Sequence, residues 1–194
     1  MHPIAYIAVS FFIVPLVLIL VNNLLPKQVA EKMCLYLACG VAIIQICASI
    51  AEFFLLSASN LHVYEFSLLW NINLEGSERF AVNSLSLVIL FCIGFVSFVS
   101  LLIAFKTIEN KKRAFVNLLM TLILGMNGMV IVTDLFSLYV FLEIVGISSF
   151  VMIAMFQTNT GLEGAFKYLV MSSLASIFIL TGLSFIFMQT GSLQ

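Results

Sequence analysis

The chain has 194 residues, of which 63% are hydrophobic and only 9% charged, with a net charge of −1. A soluble domain is nearer half apolar and a quarter charged, so these residues could not cover a water-facing surface, and lipid is the solvent they imply. The charge balance also argues against nucleic acid, since no basic surface exists to neutralise phosphates.

About 20 apolar residues cross a bilayer as a helix, and on that measure the sequence predicts an all-α polytopic bundle, one membrane domain over 1–194 with about six transmembrane helices. The first span is expected over 4–25. It has no basic region before its apolar run and is too long for a signal-peptide core, so it reads as a retained helix. Pro15 lies inside it, tolerable in a membrane helix when a neighbour satisfies the freed carbonyl. The second span is expected over 33–56. A polar extramembrane connection follows over 57–79, with His62, Glu65, Glu75, Glu78, Arg79 and Trp70. There the alternation of Val63 and Glu65 against Tyr64 and Phe66 suggests a short hairpin. Further spans are expected over 80–105, 114–132, 135–156 and 165–188.

Seven of the eight basic residues fall on one side of this arrangement: Lys27, Lys32, Lys106, Lys111, Lys112, Arg113 and Lys167. Arg79 alone falls on the other. The positive-inside rule then puts both termini on the outer side of a cell inner (cytoplasmic) membrane.

Glu143 is the most informative residue, an acid near the middle of the fifth span. Insertion scales charge roughly 2.5–3.5 kcal/mol for an acid at that depth, which makes it a functional candidate by default. Desolvation favours its neutral form and a nearby ammonium its ionised form; a proton carrier needs that competition. The bland alternative is a protonated glutamate bonded to a neighbouring helix.

Lys167, near the start of the sixth span, has three readings. It snorkels to the headgroups, pairs with Glu163 one turn away, or faces inward as a partner for Glu143. Ser148 and Ser149 in span five, with Ser172, Ser173, Ser176, Thr181 and Ser184 in span six, either let helices pack closely or hold the waters of a proton path. For that path Ser148, Ser149, Ser172 and Ser173 are the candidates. Gly125, Asn127 and Gly128 suggest close packing around a polar spot in span four. Glu52 and Asp134 read as interfacial, and Asn117 and Gln45 as helix-to-helix glue.

The sequence contains no P-loop, GxSxG or HExxH motif and no paired haem histidines, so no catalytic centre is expected in this chain. The four cysteines lie in apolar stretches without metal-ligand spacing. Neither a metal nor a cofactor is expected to be bound.

The stretch DLFSLYVFLEIVGISSFVMIA at 134–154 resembles the fifth helix of the antiporter-like subunits of respiratory complex I, membrane-bound hydrogenases and Mrp-type sodium/proton antiporters. RFAVNSLSL at 79–87 resembles that family's entry to its third helix, with Asn83 where aspartate is usual. Ala165 to Tyr168 resembles the start of its sixth.

The resemblance implies an ion-translocating fold with an outer N-terminus, and Glu143 as the proton-transferring glutamate. It also implies other membrane subunits and lipid as partners, in a complex that includes a quinone-type oxidoreductase, a hydrogenase or an Mrp antiporter. Family members continue well beyond six helices and pair this glutamate with a later lysine. The expectation is therefore that a second polypeptide supplies the remaining helices, or that this is a reduced subunit. The main alternative function is a structural scaffold in the same kind of complex, with no transport of its own.

Overall fold

A computed structural model of the chain describes residues 3–58, 63–67, 79–108 and 111–191. Six helices follow one another: α1 (Pro3–Leu24), α2 (Lys27–Ala58), α3 (Ser84–Thr107), α4 (Lys112–Ile131), α5 (Leu135–Ala154) and α6 (Asn159–Thr190). Two short strands, β1 (Val63–Ser67) and β2 (Arg79–Asn83), stand between α2 and α3. Among the described residues, five helices are long and apolar enough to cross a bilayer: Met33–Ser57 within α2, and α3 to α6; α1 adds the apolar stretch Ala8–Leu24. The protein is a multi-pass membrane helix bundle.

The helix ends follow local chemistry. Pro26 cannot extend α1, and α2 starts directly after it at Lys27, before the apolar run begins. Asn83 caps α3, its side-chain oxygen accepting from the Ser86 amide at 2.7 Å and the Ser86 hydroxyl at 2.9 Å. Asp134 caps α5 through the Ser137 amide at 2.7 Å, and Thr158 caps α6 through the Gly161 amide at 3.1 Å. At the opposite ends, Lys111 donates to the Met155 carbonyl at 2.9 Å and Arg113 to the Asn23 carbonyl at 2.9 Å. Cations thus close the C-terminal ends of α5 and α1, where the helix dipole favours them.

The third helix starts four residues later than the apolar pattern suggests. Phe80 to Asn83 are extended because they pair antiparallel with β1, Val63 opposite Asn83 and Ser67 opposite Arg79. An isolated bridge from Phe80 to Val132 ties this hairpin to the α4–α5 corner. His2, His62, Trp70, Glu75 and Glu78 lie outside the described residues.

Within the bundle α4 is central, packing against α1, α2, α3 and α5, while α6 packs chiefly on α5. One core lies toward the basic end, around Leu35, Leu101, Val116, Met120 and Ile123. A second lies under the hairpin, around Phe11, Phe80, Leu87, Leu90 and Ile131. Between them sits a polar knot. Gln45 of α2 donates to Asn127 Oδ1 of α4 at 3.0 Å, and Asn127 Nδ2 donates to the Phe11 carbonyl of α1 at 3.0 Å. Phe11 is the residue whose carbonyl Pro15 leaves without its helical N–H. Asn127 supplies the missing donor.

Candidate functional site: the seam between α5 and α6

Glu143 lies on α5, nine residues into a 20-residue helix. Its carboxylate is half-buried and accepts a hydrogen bond from the Ser176 hydroxyl of α6. One turn further along α5, Gly146 is buried against the same neighbour: a Cβ placed there would sit 3.3 Å from Ser172 Oγ. Ser172 and Ser176 are one turn apart on α6, as Glu143 and Gly146 are on α5, so the two pairs line one seam. Of the α6 residues, Ala165, Ser176 and Leu183 are buried, which marks the stripe that meets α5.

On its other side α5 is held close to α4. A Cβ on Gly125 would come within 2.8 Å of Val145 Cγ2, and one on Gly128 would collide with the Phe141 ring. These glycines let α5 approach α4 and set the position from which Glu143 faces α6.

The other candidates are placed as follows. Ser148 and Ser149 donate back to the Ile144 and Val145 carbonyls of their own helix, both at 2.7 Å. Ser173 does the same to Leu169 at 2.8 Å and is exposed. Lys167 pairs with Glu163 at 2.6 Å, the two side chains 71% and 65% exposed. Nine residues separate it from Ser176, roughly 13 Å along the helix. The structure therefore brings together Glu143, Ser172 and Ser176, and does not bring Lys167 to Glu143. Choosing Ser176 over Ser173 depends on the rotation of α6. The available signal is the one-turn spacing of Ser172 and Ser176 opposite the Glu143–Gly146 pair.

One polar residue stands in surroundings that the sequence pattern does not suggest. Glu52, expected at the interface, is fully buried, and neither of its carboxylate oxygens has a hydrogen-bond partner among the described residues. Asn117, by contrast, joins α4 to α1 at the basic end, in keeping with its reading as helix-to-helix glue. It accepts from Asn22 at 3.2 Å and donates to Asn23 at 3.1 Å.

The model of the family described as "NADH:quinone oxidoreductase/Mrp antiporter, TM" matches residues 132–194, the segment that contains α5, α6 and the seam. The chain is 38% identical over 101 residues to a Na(+)/H(+) antiporter subunit of Alkalihalophilus pseudofirmus, covering 51% of this chain and 20% of that one. It is 32% identical over 88 residues to NADH-quinone oxidoreductase subunit N 2 of Thermodesulfovibrio yellowstonii, covering 45% of this chain and 20% of the relative. Over these segments the chain is similar to antiporter-like subunits.

Two solved structures share this fold over 96% of the chain. One is a chain of an archaeal membrane-bound sulfane sulfur reductase, with a TM-score of 0.87 and 23% identity. The other is a chain of the Mrp complex of a Dietzia species, with a TM-score of 0.81 and 21% identity. The match spans 38% and 35% of those two chains, and about a fifth of the two relatives above.

Proposed function

We propose that this chain takes part in moving protons, or protons coupled to sodium, across a cytoplasmic membrane, as a subunit of a multi-subunit Mrp-type or redox-driven complex, with Glu143 as the carboxyl that carries the proton. The observation that carries this reading is the Glu143–Ser176 hydrogen bond across the α5–α6 seam. A serine hydroxyl can donate to a carboxylate and accept from a carboxylic acid. Ser176 can therefore remain Glu143's partner through both halves of a proton cycle, and loading the group does not require the helices to separate.

Ser172, one turn along the seam, is the next polar step. Lys167 and Glu163 form an exposed charged pair further toward the start of α6, suited to collecting protons at the seam's mouth. In this arrangement Ser148, Ser149 and Ser173 serve their own helix carbonyls, and they join a path only by turning those hydroxyls away. The relatives' names place them in sodium/proton antiporters and NADH-quinone oxidoreductases, which supports the reading.

The test is Glu143→Gln in the assembled complex, with proton movement followed by a pH-sensitive dye in sealed vesicles. Coupled translocation should be lost while the subunits still co-purify, and Glu143→Asp should retain part of it. Full transport by Glu143→Gln would remove the carrier role.

A scaffold reading has its own support in α6, whose apolar surface stays largely uncovered, with Phe178 and Met188 76% and 80% exposed. That reading predicts normal transport in Glu143→Gln, and loss of assembly when Phe178 is replaced by serine.

A further inference from the structure

Glu52 sits on α2, inside the apolar span Met33–Ser57, six residues from the helix end at Ala58. Its residue exposure is 0%, and both carboxylate oxygens are buried with no hydrogen-bond donor among the described residues. Ala48 and Leu56, one turn to either side of it on the same face, pack into the core under the hairpin. That core draws Phe11 from α1, Phe80 and Val82 from β2, Leu87 and Leu90 from α3, and Ile131 from α4.

Among the described side chains, none of these elements turns a titratable group toward Glu52. Lys112 and Arg113 stand at the opposite end of α4, Cys92 of α3 is exposed, and Asp134 is occupied as the cap of α5. The polar residues below Glu52 on the α2 face are uncharged and already engaged. Ser49 donates to the Gln45 carbonyl at 2.8 Å, and Gln45 pairs with Asn127.

An ionised carboxylate stripped of water, donors and counter-charge is by far the costlier form, whereas the neutral acid is tolerated in such a place. A metal cation would need several oxygen donors around it. No group of three or more His, Cys, Asp or Glu side chains occurs among the described residues. The ligand that fits a lone buried carboxyl is a proton.

We propose that Glu52 is a second proton-binding site of this chain, housed in the α1–α4 bundle under the β1–β2 hairpin and separate from the α5–α6 seam. Phe80 and Val82 of β2, 4% and 0% exposed, close the site toward the hairpin. Local opening of this two-stranded hairpin gives Glu52 intermittent contact with water and lets the proton exchange. The site does not depend on Glu143, because the two acids lie in different helix interfaces.

Infrared spectroscopy of the complex in native membranes tests this directly. At neutral pH the wild-type spectrum should contain a carbonyl stretch of a protonated carboxylic acid that Glu52→Gln removes, and Glu143→Gln should leave that band in place. Transfer into heavy water should shift the band as the proton is replaced by deuterium. Should Glu52→Gln fail to assemble, Glu52→Asp, which retains the acid, should move the band instead of deleting it. Loss of only an ionised-carboxylate signal in Glu52→Gln overturns the proposal. So does a protonated-acid region that neither substitution alters, or a Glu52 band that heavy water leaves unmoved.

Discussion

In the α1–α4 bundle, buried amides answer one another: Gln45 bonds Asn127 and the Leu90 carbonyl, and Asn127 bonds the carbonyl that Pro15 strands on α1. In the α5–α6 pair, a single carboxyl meets a single hydroxyl, and the rest of α6 carries most of its apolar surface exposed. Helices joined at Gln45 and Asn127 through complementary neutral groups have one arrangement in which these amides find their partners. A seam held by one acid and one serine keeps a group whose charge can change while its partner stays in place. The amide knot fixes geometry, and the seam keeps chemical freedom against that fixed wall.

The sharpest way to break this division is to push the two regions apart. Gly128→Val would drive a branched side chain into the Phe141 ring, and a destabilisation of about 3 kcal/mol is expected, at the upper end for overpacking. Unfolding in mixed micelles with increasing SDS measures it. A smaller loss, about 2 kcal/mol, is expected for Asn127→Leu, which strands Gln45 Oε1 and the Phe11 carbonyl together. If Asn127→Leu costs nothing by the same assay, the knot does not lock the bundle.

Pro15 refines the second experiment. Pro15→Ala restores a backbone N–H for Phe11, so combining it with Asn127→Leu should recover about 1 kcal/mol relative to the sum of the two single changes. Strict additivity in that double-mutant cycle would show that Asn127 does not act on the proline-freed carbonyl.

The sequence alone showed the class, the apolar spans and Glu143, because one acid among some 20 apolar residues stands out whatever the tertiary structure. What it did not show depends on helix rotation and on distant partners. α2 and α6 are apolar on most sides and carry little phase information. Hence Glu52, near the end of its span, reads as interfacial, and Ser176 is not told from Ser173. Phe80 to Asn83 read as helix since their extended form needs β1 as a partner, and that pairing is set across a long connection. Pro15 announced a free carbonyl without saying that Asn127, 112 positions later, would meet it.

The smallest expected effect bears most directly on the contrast between the two regions. Ser176→Ala removes one interhelical hydrogen bond from the seam, a change of about 0.6 kcal/mol if it behaves as such bonds do in membrane bundles. Assembly and SDS resistance should hardly move, because the α4–α5 contact at Gly125 and Gly128 is untouched. Transport should fall several-fold all the same, since Glu143 loses the hydroxyl that can accompany it in both charge states. Ser148→Ala is the control: its hydroxyl serves only the Ile144 carbonyl, which keeps its own helical N–H. A seam that works by chemistry distinguishes these two serines in vesicle proton uptake while stability does not. Equal transport in both variants would reduce Ser176 to packing, and with it the proposed difference between a locked bundle and a responsive seam.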